Sequence, residues 1–237
     1  MITIEHLSKN YNGIQVLSDI SFSIESGCIT GLFGKNGAGK TTIIKHLVKL
    51  LTAESGAIAC NGTDIYGTEE YLFSYIPDEP VYFEELTVLE NILFMMQLCK
   101  CERKTADELM NIFDFMQYQS EYPPQLSRGS KQKLMIILAL LRKFDVLIAD
   151  EPFTALDPEQ TVILKNIFLQ LKVTGKTILL STHQLDLASS ICDRFVFIDK
   201  GGVVYSGTRT GFPLNEEGKP VSVDIFFNKL IHENQDI

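Results

Sequence analysis

Lys40 and Thr41 close the run Gly34-Lys35-Asn36-Gly37-Ala38-Gly39-Lys40-Thr41-Thr42, a G-x-x-x-x-G-K-[ST] pattern that can grip a polyphosphate. Its glycines let consecutive backbone N–H groups converge on one point, and a helix starting there adds about half a positive charge. The Lys40 ammonium is placed to reach the β- and γ-phosphates, and Thr41 offers a hydroxyl to Mg²⁺. Gly34, Asn36, Gly37, Ala38, Gly39 and Thr42 complete this predicted nucleotide-binding set. Hydrolysis needs more: a carboxylate for the metal, a group that orients water, and a sensor of the γ-phosphate. Asp150 ends the apolar run Val146 to Ala149 and supplies the first; Glu151, next in sequence, is placed to polarise the attacking water. His183 follows the strand-like run Thr177 to Ser181, and the tip of a neighbouring parallel strand would point it into the same crevice.

The elements that must hold these groups are readable from periodicity. A short strand, Ile29 to Phe33, precedes the glycine loop. A helix follows it to Leu51, with Ile43, Ile44, Leu47, Val48, Leu50 and Leu51 at three- and four-residue spacing. Residues 2 to 25 read as β, with Ile20, Phe22 and Ile24 alternating with Ser21, Ser23 and Glu25, and turns at Asn12-Gly13 and Ser26-Gly27. Tyr11 lies between the first two strands, where it is either an adenine-stacking aromatic or an ordinary core or surface tyrosine. Gly56 to Gly62 is a short strand closed by Asn-Gly, and Leu72 to Ile76 another, ending at Pro77-Asp78-Glu79-Pro80. From Thr87 the pattern turns helical. Thr87-Val88-Leu89-Glu90 is a capping box, a second helix spans about Thr105 to Gln117, and a third follows Ser127 through Leu141. Asp157-Pro158 opens a further helix, Phe195 to Ile198 and Val203 to Tyr205 are the last strands, and Val223 to Ile231 is a short amphipathic helix.

Length and composition set the class. At 237 residues, with 45% hydrophobic and 22% charged residues, the chain is one globular domain with subdomains. The net charge of −9 argues against nucleic acid as a partner, which needs a surplus of Lys and Arg along a face. Phosphate must therefore meet a local positive pocket on an acidic protein. Cys28, Cys60, Cys99, Cys101 and Cys192 are scattered and odd in number, as reduced cytosolic thiols are. No basic segment followed by a long apolar core opens the sequence, and the longest apolar run, Leu134 to Leu141, falls far short of the ~20 residues that cross a bilayer.

In their order along nearly the whole chain, these motifs resemble the nucleotide-binding subunit of an ATP-binding-cassette (ABC) transporter. Leu126-Ser127-Arg128-Gly129-Ser130-Lys131-Gln132 resembles the family's Leu-Ser-Gly-Gly-Gln signature. Thr154-Ala155-Leu156-Asp157 resembles its D-loop, His183 its switch histidine and Tyr11 its adenine-stacking aromatic. The resemblance implies an α/β fold: a P-loop NTPase (RecA-like) core sheet, an N-terminal antiparallel β subdomain and an inserted α-helical subdomain. The core would comprise 1–77 and 144–208, the helical subdomain 78–143 and a tail 209–237. It also implies ATP and Mg²⁺, with Lys40, Glu151 and His183 catalytic and Thr41, Asp150 and Asp78 at the metal. Two subunits, identical or not, would face each other head to tail, each ATP held between one P-loop and the other chain's Ser127 and Gly129. Integral-membrane transporter subunits would be the other partners, docked near Glu79 to Leu98, placing the protein in the cytoplasm on the inner face of the membrane.

Three positions in two motifs depart from the family pattern. Arg128 and Ser130 stand where the signature has glycine and glutamine, and Asp78 stands where a glutamine usually touches the metal. An acidic residue there resembles branches of the family that export peptides, antibiotics or lipids. The rival is a soluble cassette ATPase acting on nucleic acid or ribosomes, but the sequence has neither long coiled coils nor a second cassette. A GTPase is disfavoured because no Asn-Lys-x-Asp motif is present; Asn228-Lys229-Leu230-Ile231 comes nearest.

Overall fold

A computed structural model describes residues 1–233. Strands β1 (Ile2–Tyr11) and β2 (Ile14–Ile24) form an antiparallel hairpin whose Asn12-Gly13 turn has the positive φ angles, 50° and 83°, that those residues tolerate. The expected alternation holds: Ile20, Phe22 and Ile24 are buried and Ser21 is exposed. Tyr11 is the last residue of β1. β3 (Ile29–Gly34) is followed by the glycine loop and α1 (Lys40–Leu47). β4 (Ser55–Cys60) and the two-residue β5 (Thr63–Asp64) complete a four-stranded sheet of order β2-β1-β4-β5.

The second sheet carries the chemistry. It is built from β3, β6 (Phe73–Ile76), β7 (Val146–Asp150), β8 (Thr177–Ser181), β9 (Arg194–Asp199) and β10 (Gly202–Thr208), in the order β10-β9-β3-β8-β7-β6. All pairings are parallel except the β9–β10 hairpin. Parallel strands end on the same side, so the loops after β3, β7 and β8 emerge together, with β8 between the other two. Between β6 and β7 the chain inserts α2 (Val88–Cys99), α3 (Arg103–Ile112) and α4 (Arg128–Leu140). α5 (Pro158–Val173), the single-turn α6 (Leu185–Ser189) and α7 (Val223–Glu233) complete the fold.

Successive side chains of a strand face opposite ways, and here both faces are covered, which is why these strands read as unbroken apolar runs. Leu32, Ile148, Leu179, Val196 and Ile198 join α1 and the antiparallel sheet in one core. Phe33, Leu147, Ile178, Leu180, Phe195 and Phe197 join the helices α2 to α5 and α7 in the other. The Phe197 ring lies at the centre of the second, 5.3 to 6.4 Å between centroids from Phe33, Phe195, Tyr205, Phe212, Phe226 and Phe227.

Three local expectations change. α1 stops at Leu47, not Leu51, because Lys49 takes a left-handed φ of 59° and the N–H groups of Leu50 and Leu51 fold back onto the Lys45 carbonyl. Leu50 is consequently exposed. α3 spans Arg103–Ile112 rather than 105–117, since Phe113 and Phe115 are both fully buried, which one helix face cannot do for residues two apart. Asp114, at φ 48°, makes the bend. The turn α6 had no counterpart in the sequence reading. The capping box at Thr87 and Glu90 is present, as are the Asp157 cap and Pro158 at the first position of α5.

Phe197→Ala is expected to cost about 3–5 kcal/mol of unfolding free energy, measured by urea titration, because it empties the middle of the aromatic cluster.

Candidate functional site

The glycine loop is shaped by backbone that only glycine supplies easily. Gly37 and Gly39 sit at φ 80° and 108°, and a Cβ on Gly39 would lie 2.5 Å from Leu17 Cδ2. A Cβ on Gly34 would stand 2.6 Å from the Ile198 carbonyl oxygen. Lys40, the first residue of α1, is buried, and its Nζ donates to the carbonyls of Gly34 (2.7 Å) and Lys35 (3.3 Å). This ammonium thus spans the mouth of the loop on carbonyls alone. Burial pulls its pKa down, and the carboxylates of Glu151, Asp150 and Asp78 push the other way.

Strand register delivers the acids. Asp150 pairs with Ser181 across β7 and β8 and is only 2% exposed. Burial raises its pKa; the Ser181 and Thr41 hydroxyls oppose that, and the charges of Asp78 and Glu151 add to it. The Thr41 hydroxyl donates to Asp150 Oδ2 at 3.2 Å. Glu151 turns out of the strand at φ 49°, with its N–H held by the Ser181 carbonyl at 2.8 Å. Its Oε2 lies 2.8 Å from His183 Nδ1 and accepts the His183 backbone N–H at 3.3 Å. The glutamate side chain is 14% exposed and the histidine 63%.

A cleft of about 390 Å³ gathers Asn36, Gly37, Ala38, Gly39, Lys40, Thr41, Thr42, Asp78, Asp150 and Glu151, together with Val16. Gly34 and His183 line a second cavity, behind the loop. Tyr11 lies outside both linings; it is 40% exposed, and Lys9 Nζ sits 5.3 Å from its ring centroid. Ser127 and Gly129 are also outside. Ser127 caps α4, accepting from Ser130 N–H at 3.1 Å, while a Cβ on Gly129 would come within 2.7 Å of the Ala155 carbonyl oxygen. Gln132 Nε2 donates to the Pro152 carbonyl at 3.2 Å, so α4 leans on the loop that follows Glu151. Val16 was not legible as a site residue, being one apolar position in a strand that the packing of one sheet on the other brings beside the loop, where a Cβ on Gly39 would lie 3.2 Å from its carbonyl oxygen.

The residues present suit a hard cation. Thr41 and Asp150 offer adjacent oxygens, and among the described residues no group of three or more His, Cys, Asp or Glu could hold a metal by itself. Two protein oxygens completed by phosphate and water is the usual arrangement for Mg²⁺.

Comparison with known proteins agrees with this geometry. The family model described as ABC transporter matches residues 17–154. The ABC-type transporter ATP-binding protein EcsA of Bacillus subtilis is 33% identical over 99% of this chain and 98% of its own. A solved structure of an ATP-binding subunit of an ABC transporter superposes with a TM-score of 0.87 at 33% identity, covering 98% of this chain and 99% of that one. The lipopolysaccharide export protein LptB of Haemophilus influenzae is 30% identical over 93% and 96%. The arginine transport protein ArtM of Bacillus subtilis is 30% identical over 92% and 96%.

Gly39→Ala is expected to cost more than about 1 kcal/mol of stability and to weaken binding of a fluorescent ATP analogue, both read on the same preparation. Lys40→Ala should lose nucleotide binding while keeping the wild-type melting temperature to within a few degrees.

Proposed function

The chain belongs to the ABC transporter family, and from that premise we propose that it powers export through separate membrane-spanning subunits by closing on ATP as a dimer. It is an ATP-binding subunit of that family and an ATPase. The observation that carries the residue roles is the Glu151–His183 contact of 2.8 Å at the edge of the cleft that holds Lys40, Thr41 and Asp150.

In this reading the N–H groups of the glycine loop and the Lys40 ammonium take the β- and γ-phosphates, Lys40 exchanging its two carbonyl partners for phosphate oxygens. Thr41, Asp150 and Asp78 would hold Mg²⁺, which would supply charge neutralisation on the leaving phosphate oxygens. Glu151 orients a water for in-line attack on the γ-phosphorus and accepts its hydrogen bond. The bond to the β-phosphate oxygen breaks as the new P–O bond forms, giving ADP and inorganic phosphate. A hydrogen bond from His183 Nδ1–H to Glu151 Oε2 would hold the carboxylate in one orientation. Tyr11, the last residue of β1 and outside the phosphate cleft itself, is the residue we assign to the adenine ring.

Dimerisation is supported by what the cleft leaves out. Ser127 opens a 13-residue helix whose first N–H groups suit an anion, yet Ser127 and Arg128 are exposed and lie outside this chain's own phosphate cleft. A second subunit, identical or related, would bring its own Ser127 and Gly129 over the γ-phosphate. Among the described residues no helix is long and apolar enough to cross a membrane. The transport path is therefore assigned to separate integral-membrane subunits, with this chain peripheral on the cytoplasmic face. Export rests on Asp78, whose acidic side chain lines the cleft.

Glu151→Gln should still bind ATP with Mg²⁺ but lose about 10²–10⁴-fold in turnover, and should elute as a dimer in size-exclusion chromatography with ATP-Mg²⁺. Hydrolysis at the wild-type rate would remove Glu151 from its assigned role.

A further inference from the structure

The cavity behind the phosphate loop, about 450 Å³, has a wall that the assigned chemistry does not use. Gly34, Lys35 and Asn36 form one side, Thr182, His183 and Leu185 the other, and Phe227 of α7 closes it. Thr182 is buried and Leu185 packs on the core, but the histidine between them is held less firmly. His183 is 63% exposed on its side chain, its partner is Glu151, and the helix that follows, α6, has only five residues. A helix of one turn does not persist by itself. α6 instead packs against α7, and α7 is anchored to the sheet by its two adjacent phenylalanines.

Those two phenylalanines have different surroundings. Phe226 lies among Phe212 (4.6 Å between centroids), Tyr205 (5.0 Å) and Phe197 (5.8 Å), away from the cavity. Phe227 touches Phe197 at 5.3 Å and also reaches the cavity wall beside His183. Both are buried to the same extent, 7% and 8% exposed. The pair therefore separates two functions of α7: docking on the sheet, which both serve, and bounding the space beside the histidine, which Phe227 alone serves.

We infer that Phe227 is a positioning residue for His183, so that the C-terminal helix sets the rate of ATP turnover in addition to covering the sheet. The inference rests on the role proposed above for the Glu151–His183 pair. Phe227 limits how far the Thr182–Leu185 segment can retreat from the phosphate loop, and so holds the imidazole within reach of the Glu151 carboxylate. No contact between Phe227 and nucleotide is involved.

The test compares Phe227→Ala, Phe227→Leu and Phe226→Ala in the full chain. Phe227→Ala should lower kcat about tenfold, the order expected for a sub-ångström misplacement of a reacting group, with the KM for ATP within about twofold of wild type. Phe227→Leu, which keeps most of the apolar volume and guards against loss of folding, should recover most of that rate. Phe226→Ala should lose as much thermal stability as Phe227→Ala yet keep kcat within about twofold. The imidazole ¹H–¹³C resonance of His183, assigned by its loss in His183→Gln, should move in Phe227→Ala and stay in place in Phe226→Ala. Equal kcat losses in the two alanine variants, or an unmoved His183 resonance in Phe227→Ala, would overturn the inference. Wild-type turnover in His183→Gln would instead overturn the role of the histidine itself, whatever Phe227 does.

Discussion

The parallel pairing of β7 with β8, which sets Asp150 beside Ser181, is the contact on which the site depends. Asp150 is placed by it directly, Glu151 by the next hydrogen bond to the Ser181 carbonyl, and His183 by lying two residues past the same strand end. A slip of one residue would turn the Asp150 side chain to the other face and move Glu151 off its histidine. Such a slip is opposed by both hydrophobic cores, because Ile148 and Leu179 belong to one and Leu147, Ile178 and Leu180 to the other. The placement of Asp150 and Glu151 is thus held by apolar packing on both faces of the sheet as well as by contacts among the polar groups.

The same arrangement resolves an electrostatic tension. A chain of net charge −9 must receive a triphosphate, and it does so at a spot where glycine N–H groups, the start of α1 and a buried ammonium converge. Three carboxylates, Asp78, Asp150 and Glu151, line the same cleft. Under the proposed function they would repel phosphate unless a cation lay between, which would make the metal a requirement of the site. The cap on α4 carries a second tension. Ser127 Oγ accepts Ser130 N–H at 3.1 Å and donates to Ser130 Oγ at 3.0 Å, so the serine that replaces the signature glutamine occupies the hydroxyl proposed to meet a γ-phosphate.

Much of this was legible in the sequence because the groups concerned obey local rules. A glycine loop between strand and helix, an apolar run ending in Asp-Glu, a capping box and a proline at the first helical position each leave a pattern a few residues long. What was not legible depends on tertiary packing. The early end of α1 reflects a left-handed Lys49, and the bend at Asp114 exists to bury both Phe113 and Phe115. Val16 and Phe227 reach the nucleotide region only through tertiary packing, of the antiparallel sheet and of α7 against the sheet that carries the glycine loop. Tyr11, whose position suits either an adenine-stacking aromatic or an ordinary tyrosine, meets Lys9 with its ring and lies outside the lining of the phosphate cleft.

We propose that one chain holds half of an ATP site and a second chain supplies the signature half. This sharing of the site is tested most directly by following ATPase activity per subunit against protein concentration, with sedimentation recorded at the same concentrations in ATP-Mg²⁺. The account predicts that activity per subunit rises as the sedimenting species changes from monomer to dimer. Full and constant activity from a species that sediments as a monomer throughout would contradict it.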